Sequence, residues 1–332
     1  DFMKKSLKNQ ILLKPITLVD VGFKGGVQEK WLVLKENLNI IGFEPNKEEY
    51  DRLQKDDSHG KIYNTALWSE KRSIDFYVTR AERLCSCLEP NREVLDEFPE
   101  TERFDILRKI VLSVDTLDNV FQKSTLEGGG EIINPDFVKL DTQGTELYIL
   151  KGMQHTLTRS IFGVEVEVEF IEMYRDQPLF NKVDSFMRER GFHLFDLKKY
   201  YWRRKCGVGF DGNHRGQLIH GDALYFRNTD MYLNVLENSG VFIKERLLKS
   251  VAIALFFGYT DYAISILEKA MNRKAISFDE YSQLSKIIKR KSGKNLSLPN
   301  FKGKQLLHDF FSRLFDSNYD GWAKVDKIKL GN

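Results

Sequence analysis

The chain has 332 residues, of which 42% are apolar and 30% charged, and its formal net charge is +3. This composition is typical of a soluble globular protein of one large or two modest domains, and it excludes disordered and fibrous classes. No apolar run reaches the roughly 18 residues of a membrane-spanning helix, and the three cysteines, without a recognisable signal peptide, predict a cytoplasmic protein lacking disulfides.

From residue 15 onward, short apolar segments alternate with amphipathic ones, which is the pattern of a parallel sheet covered by helices. Strands are predicted at 16–21, 39–44, 61–67, 136–141, 163–170, 192–196 and 221–227. Helices are predicted between them at 27–38, 46–55, 145–153 and 180–190. Residues 70–130 interrupt this alternation, and we expect this insertion to lie over one end of the sheet. The last two strands lack an intervening helix, which predicts that one strand is antiparallel.

Beyond residue 228 the strand pattern stops, and helices are predicted at 230–238, 240–257, 259–272, 278–290 and 303–316. The chain is therefore predicted to consist of one domain over 1–228 and a helical extension over 229–332, whose apolar faces pack on the sheet. Within the extension, residues 286–304 carry seven basic residues and no acid. We interpret this basic segment as a solvated loop, with an anionic partner as the alternative. A homodimer formed through the extension stays open.

The segment "VDVGFKGG", residues 19–26, places Asp20 at the end of the first strand and three glycines in the turn after it. Glycines let a backbone pass close to a ligand, and carboxyl strand ends are where parallel sheets bind ligands. Glu44 ends the second strand, where a carboxylate can accept both hydroxyls of a ribose. A nicotinamide dinucleotide needs G-x-G-x-x-G, which the turn starting at Gly22 does not match. S-adenosylmethionine, which has a ribose but no phosphate, fits better.

A third segment, "DFVKLDTQGTELYILKGM" at 136–153, joins a buried strand ending in Asp141 to an amphipathic helix. Together with "VDVGFKGG", "IIGFEPN", "NTALWSE", "VDTLD", "FIEMYRDQPLFNKVDSFMRERGFHLFDL" and "GDALYFR", it resembles the FkbM-type family of S-adenosylmethionine-dependent methyltransferases. The resemblance covers roughly residues 15–228. It implies a Rossmann-like class I methyltransferase sheet, mostly parallel with one antiparallel strand. The first turn departs from the family, because Phe23 and Lys24 stand where Ala-Asn is usual.

The resemblance also assigns residues to the cofactor, S-adenosylmethionine: Asp20, Gly22, Gly26, Glu44, Asn64, Ala66, Leu67 and Asp141. In that order, the first three would face the methionine portion and Glu44 the ribose. The third strand end, from Asn64 to Leu67, would border the adenine, and Asp141 would lie beside the transferred methyl group. The carboxylates could instead cap turns or face solvent.

Strand alternation places Glu165, Glu167 and Glu169 on one face of a central strand. A central parallel strand is normally buried on both faces, so this row needs either a polar cleft or cationic partners. The predicted catalytic residues are Asp141, which the resemblance implies lies beside the methyl group, and Glu167 and Glu169, which are nearest the carboxyl end of their strand. No Cys or His cluster has metal-ligand spacing, so no metal is assigned; an oxygen-ligated cation beside Asp141 stays open.

Four residues are predicted to bind the acceptor: Tyr174, Arg175, Tyr201 and Trp202. Aromatic rings interleaved with basic side chains suit a sugar ring or an anionic carrier. The leading hypothesis is an O-methyltransferase that acts on a hydroxyl of a saccharide or a related natural-product or glycan intermediate. Methylation of RNA or protein and a non-catalytic scaffold with a vestigial cofactor site are the alternatives. The predicted partner is a small molecule or glycan; a nucleic acid is disfavoured.

Overall fold

The computed structural model describes residues 14–55, 60–127, 132–205, 216–239, 243–289 and 322–323. Its strands are β1 (Ile16–Val21), β2 (Leu38–Phe43), β3 (Lys61–Tyr63), β4 (Ala66–Leu67), β5 (Arg72–Thr79), β6 (Ile106–Asp115), β7 (Phe137–Leu140), β8 (Gly163–Glu169), β9 (Phe192–Trp202), β10 (Gln217–Arg227) and β11 (Trp322–Ala323). Its α-helices are α1 (Lys47–Leu53), α2 (Arg92–Leu95), α3 (Leu117–Glu127), α4 (Glu146–Lys151), α5 (Gln154–Arg159), α6 (Phe180–Glu189), α7 (Thr229–Ser239), α8 (Ile243–Phe256), α9 (Thr260–Asn272) and α10 (Phe278–Lys289). Short 3-10 helices occupy Glu29–Asn37, Glu82–Leu84 and Thr101–Phe104.

The main sheet has the strand order β11-β9-β10-β8-β7-β1-β2-β3. Strands β8, β7, β1, β2 and β3 pair in parallel, whereas β10 is antiparallel to both of its neighbours. The winding reverses between β1 and β7, where a sheet of this kind binds ligands at its carboxyl edge. The predicted Rossmann-like class I methyltransferase sheet, mostly parallel with a helical C-terminal part, is therefore confirmed.

Two predicted elements form differently. The single strand expected at 61–67 is divided into β3, which joins the main sheet, and β4, which joins a separate three-stranded sheet with β6 and β5. Asn64 lies between them, and its side-chain amide donates to the carbonyls of Glu44 at 2.9 Å and Pro45 at 3.1 Å. The helix expected at 27–38 is a 3-10 helix over Glu29–Asn37.

The last two strands of the sheet are longer than the sequence predicted. β9 and β10 pair from Phe192 with Arg227 to Trp202 with Gln217, so both extend beyond the predicted strands at 192–196 and 221–227. The part of β9 beyond residue 196 was not predicted as strand because it carries many polar side chains. Half of its side chains face a polar cavity, which is described below. The predicted helix at 303–316 and residues 290–304 of the basic segment lie outside the described residues.

Each face of the sheet has its own core. On one face, Val19, Val21 and Val166 pack with residues of α3 to α6. On the other, Ile16, Leu18 and Phe226 pack with α7 to α10. Along β1, β7 and β8 this second face changes from apolar at the amino ends to charged at the carboxyl ends. The helical extension therefore covers one half of that face and leaves the charged half for a site.

A buried ion group fixes the extension to the sheet. Asp136, which directly precedes β7, has its carboxylate 3.1 Å from the Lys249 ammonium and 3.4 Å from the Arg246 guanidinium, both on α8. All three side chains are at most 8% exposed. Loss of one partner would leave an uncompensated buried charge, which strongly destabilises a fold. No helix of the described residues has the length and apolar character needed to cross a bilayer.

Candidate functional site

The carboxyl ends of β2, β1 and β7 meet at one rim. The amides of Gly22 and Phe23 donate to the Phe43 carbonyl at 3.3 and 3.1 Å, and the Asp141 amide donates to the Val21 carbonyl at 3.1 Å. Glu44 directly follows Phe43. The structure thus brings the glycine turn, Glu44 and Asp141 side by side.

The glycines of the turn have different reasons to be glycine. Gly22 has a φ of +85°, and a Cβ there would lie 2.0 Å from the Asp141 carbonyl oxygen. Because glycine has no side chain, the ends of β1 and β7 can contact one another at this position. Gly25 and Gly26 also have positive φ, +80° and +83°. A Cβ on Gly25 would have no atom within 4 Å. The Gly25 amide donates to the Glu49 carboxylate at 2.8 Å. Gly25 therefore faces open space that a ligand can enter.

The departure at positions 23 and 24 has a packing explanation. Phe23 is 1% exposed and packs with Ile40, Leu53 and Ile62, against the bare backbone of Gly42. Lys24 forms an ion pair of 2.7 Å with Glu82 of the insertion. Both side chains are therefore engaged in contacts with other parts of the protein.

Glu44 has the properties of a hydroxyl acceptor. It is 5% exposed, and one carboxylate oxygen accepts the Asn46 amide at 2.8 Å. Among the described residues nothing donates to its second oxygen. Burial raises the pKa of Glu44 above its ordinary value, partly offset by the Asn46 hydrogen bond. These features fit a ribose hydroxyl at the second oxygen.

The residues predicted to border an adenine lie next to Glu44. Asn64 is exposed and holds the backbone of Glu44 and Pro45 through its amide. Ala66 is half-buried, whereas Leu67 is a core side chain that packs beneath β2. Leu67 can therefore contribute only its backbone to a ligand.

Asp20 lies beneath the rim and not on its surface. It is 1% exposed, and its carboxylate is 3.2 Å from the ammonium of Lys139 on β7, which also lies 3.5 Å from Asp141. Burial raises the pKa of Asp20 to about 6, against the opposing charge of Lys139. Burial alone would lower the pKa of Lys139, but the carboxylates of Asp20, Asp141 and Glu165 together raise it. Asp20 thus holds Lys139, which in turn orients Asp141.

The raised pKa of Asp20 predicts a pH-dependent stability. An unfolded Asp titrates near 3.9, so the contribution of Asp20 to folding is fully present below about pH 4 and lost as the pH rises through about 6. We expect the free energy of unfolding of the wild type, relative to Asp20→Asn, to fall by about 2–3 kcal/mol over this window. Urea unfolding of both proteins at intervals from pH 4 to 7 measures it. A difference that stays constant, or grows with pH, contradicts the assignment.

A cavity of about 1030 Å³ opens on the charged half of the sheet, next to the rim. Its walls include Asp141, Glu167, Lys198, Tyr200, Trp202 and His220, and the end of α8 closes one side with Phe256 and Phe257. The insertion supplies another wall with Arg83, Leu84, Arg103 and Phe104. Asp141 belongs both to the rim and to the cavity, and its side chain is 44% exposed.

The three glutamates of β8 have three different environments. Glu165 is bound by the Lys30 ammonium at 2.5 Å. Glu167 accepts from the Gln143 amide at 2.9 Å and lies 3.1 Å from Nδ1 of His220. Burial raises the pKa of Glu167, and Glu167 raises the pKa of His220 in spite of the ring's burial. Glu169 is 1% exposed and does not line the cavity, so the prediction that it contacts the reacting groups is not supported by its position.

Of the four residues predicted to bind the acceptor, only Trp202 borders the cavity, and its ring is fully buried and stacked on Phe98. Tyr174 is fully buried, with its hydroxyl donating to the Leu84 carbonyl at 2.9 Å. Arg175 is exposed and pairs with Glu93 at 3.3 Å, and Tyr201 alternates to the other face of β9. The loop after β8 is covered by the insertion through backbone bonds such as Arg175 to Glu89, which the sequence did not reveal.

Sequence reasoning missed several residues of the cavity. The rings of Tyr200 and His220 stack at 4.5 Å, and the Tyr200 hydroxyl donates to Asp222 at 3.0 Å. Arg103 lies over the Trp202 ring at 5.3 Å. Two features of the sequence could have indicated these residues. His220 and Asp222 alternate along β10, and Lys139 lies inside an otherwise apolar strand.

Comparison with protein families gives a match to the methyltransferase FkbM domain over residues 28–194, half of the chain. The match begins just after the glycine turn. Comparison with curated protein sequences gives no match.

Solved structures with a similar chain path include three methyltransferase structures. FkbM from Methylobacillus flagellatus is 13% identical, with a TM-score of 0.34, over 68% of this chain and 47% of its own. The chain thus spans less than half of that protein. Magnesium protoporphyrin IX methyltransferase from Synechocystis, with bound S-adenosylmethionine, is 8% identical (TM-score 0.33; 68% and 80% covered). TrmK of M. capricolum, with bound S-adenosylhomocysteine, is 12% identical, with a TM-score of 0.30, over 87% of this chain and 96% of its own. Such distant similarity gives no basis for choosing an acceptor.

The family match covers β2, β7 and most of the residues that line the cavity, and it begins after β1 and the glycine turn. It includes Glu44, Asn64, Asp141 and Glu167, which the structure brings to one edge of the sheet. The chain therefore belongs to the FkbM family of S-adenosylmethionine-dependent methyltransferases, as its motifs predicted.

Proposed function

We propose that this domain transfers a methyl group from S-adenosylmethionine to a hydroxyl of a saccharide or a related natural-product intermediate in the cytoplasm. The observation that carries the proposal is the position of Asp141. Its carboxylate stands where the glycine-turn rim meets the 1030 Å³ cavity. A proton acceptor at that junction is what an O-methyltransferase needs.

We assign the cofactor to the rim. Glu44 would accept the ribose hydroxyls at its second oxygen, and Asn64 with the backbone of Ala66 and Leu67 would border the adenine. The open side of the turn, from Gly22 to Gly26, would admit the methionine portion. The Asp20 carboxylate is paired with Lys139, so Asp20 would act on the cofactor only indirectly, by holding Lys139.

Bound S-adenosylmethionine supplies a methyl group on a positively charged sulfur. The residues of the chain must then position the acceptor hydroxyl and take its proton. We assign proton removal to Asp141, whose orientation is set by Lys139 and by Gln143 at 3.5 Å each. His220 and Glu167, bonded to one another on the cavity wall, would orient the acceptor.

The lining of the cavity favours a polar acceptor with an apolar face. Tyr200 offers a ring surface, whereas Lys198, Arg103 and Asp222 offer charged donors and acceptors. Sugars combine hydroxyl groups with flat C–H faces, and a lining of this mixed kind suits them. The volume of the cavity corresponds to an acceptor of drug size or larger.

Methyl-labelled S-adenosylmethionine and cell extracts test the acceptor class. We expect label in material that resists nuclease and protease and that yields a labelled O-methyl sugar on acid hydrolysis. The Asp141→Asn protein is the control, since it keeps the cavity and loses the proton acceptor. Label that nuclease or protease releases contradicts the saccharide proposal.

A further inference from the structure

Three glutamates, two of them buried and the third half-buried, converge beside the cavity. Glu146 begins α4, and Glu167 and Glu169 lie on β8; one carboxylate oxygen of each lies within 4.8 Å of the others. Oxygens bound to one cation at about 2.1–2.5 Å lie at most about 5 Å apart, so the spacing is compatible with a shared ion. Glu146 and Glu169 are only 2% and 1% exposed.

The charge of this cluster is not balanced by basic side chains. Among the described residues, no Lys or Arg forms an ion pair with any of the three, and His220 beside Glu167 is the one basic neighbour. Glu146 is held by one oxygen, which accepts from the Thr142 amide at 2.7 Å, the Thr142 hydroxyl at 3.0 Å and the Gly144 amide at 3.3 Å. Three carboxylates without cations are costly to bury.

Glu169 gives the second, independent observation. Its Oε1 atom is inaccessible to solvent, and no hydrogen-bond donor of the described residues reaches it. Buried polar atoms are nearly always partnered in native structures. A buried, unpartnered oxygen on one of three converging carboxylates is an arrangement that an oxygen-seeking cation completes.

We propose that Glu146, Glu167 and Glu169 bind a hard divalent cation of the Mg²⁺, Mn²⁺ or Ca²⁺ class. Carboxylate oxygens are the ligands that these ions prefer, whereas softer metals select nitrogen or sulfur. A carboxylate has about four lone-pair sites, so Glu167 can bind the ion and keep its bonds to Gln143 and His220. The site depends on neither the acceptor nor the methyl donor.

The ion would connect the turn that carries Asp141 to the strand that forms the cavity wall. Glu146 fixes residues 142–144 through its hydrogen bonds, and Glu167 lines the cavity. The cation thus has a positioning role at the cavity floor, and its presence is measurable without any methyl-transfer assay.

The test uses protein that has been stripped with a chelator and dialysed. Mn²⁺ is titrated into the wild type, Glu169→Gln and Glu172→Gln, and free Mn²⁺ is followed by electron paramagnetic resonance. Glu172 is exposed on the loop after β8, so Glu172→Gln is a matched control. We expect one Mn²⁺ per chain in the wild type and the control, released by Mg²⁺ or Ca²⁺, and a dissociation constant raised by about tenfold or more in Glu169→Gln.

Thermal melting gives a second measurement of binding. Glu146→Gln replaces Glu169→Gln in both measurements if Glu169→Gln does not fold. Mn²⁺ should raise the melting temperature of the wild type and of Glu172→Gln and leave that of Glu169→Gln unchanged. Absence of Mn²⁺ binding by the wild type at millimolar concentration overturns the proposal. Wild-type affinity in both cluster variants overturns it as well, because the ion would then bind elsewhere.

Discussion

Gly22→Ala is expected to lower the free energy of unfolding by about 2–5 kcal/mol or to prevent folding. Two costs combine at this position. An alanine at a φ of +85° is strained by about 1–2 kcal/mol. Its Cβ would also lie 2.0 Å from the Asp141 carbonyl oxygen, a backbone atom that can move only with the end of β7, and overpacking of this kind costs about 1–3 kcal/mol more.

Gly25→Ala separates the two costs. Its φ of +80° carries the same strain, but a Cβ there meets nothing within 4 Å. We expect a loss of only about 1–2 kcal/mol. Equilibrium unfolding in urea of the wild type and both variants measures the difference. Equal losses for the two substitutions would show that contact between the ends of β1 and β7 is not what requires Gly22.

Asp141→Asn is expected to reduce the rate of methyl transfer by about 10²–10⁴-fold, the usual contribution of a positioned base. The amide has almost the same shape as the carboxylate but cannot take the acceptor proton. Lys139 keeps its partner Asp20, so the fold and the rim should persist. Single-turnover methyl transfer to the acceptor identified with labelled cofactor measures the rate, and calorimetry with S-adenosylhomocysteine should give an affinity within a few-fold of the wild type.

Asp176→Asn is the control for this substitution. Asp176 is an exposed residue after β8 with a φ of +59°, a conformation that asparagine tolerates. We expect wild-type rates from this protein. A wild-type rate from Asp141→Asn would remove Asp141 from proton transfer, and a parallel loss of S-adenosylhomocysteine affinity would assign it to cofactor binding instead.

The sequence predicted the rim of the site well because its residues are set by local rules. Asp20, Glu44 and Asp141 each end an apolar run, and the carboxyl ends of adjacent parallel strands must lie at one edge. The row of glutamates in β8 was predicted from alternation alone. The row was expected to have either cationic partners or a polar cleft beside it, and each holds in part. Lys30 binds Glu165, and Glu167 lines the cavity.

The remaining features depend on contacts between distant segments, which local patterns do not encode. Tyr174 was expected on the surface, but the insertion covers it through the Leu84 carbonyl. Phe23 looked like a disturbance of the cofactor turn, yet Gly42 on the next strand makes room for its ring. His220 had no sequence neighbour to suggest a role, because its partner Glu167 comes from a different strand.

Binding of S-adenosylmethionine between Glu44 and the glycine turn is tested most directly by calorimetric titration with S-adenosylhomocysteine. The wild type and Glu48→Gln, an exposed neighbour on α1, should each bind one molecule per chain. Glu44→Ala should bind about 10–100-fold more weakly, because hydrogen bonds to a charged acceptor contribute about 1.5–3 kcal/mol. No binding by the wild type at millimolar ligand, or equal affinity in Glu44→Ala, would contradict the account.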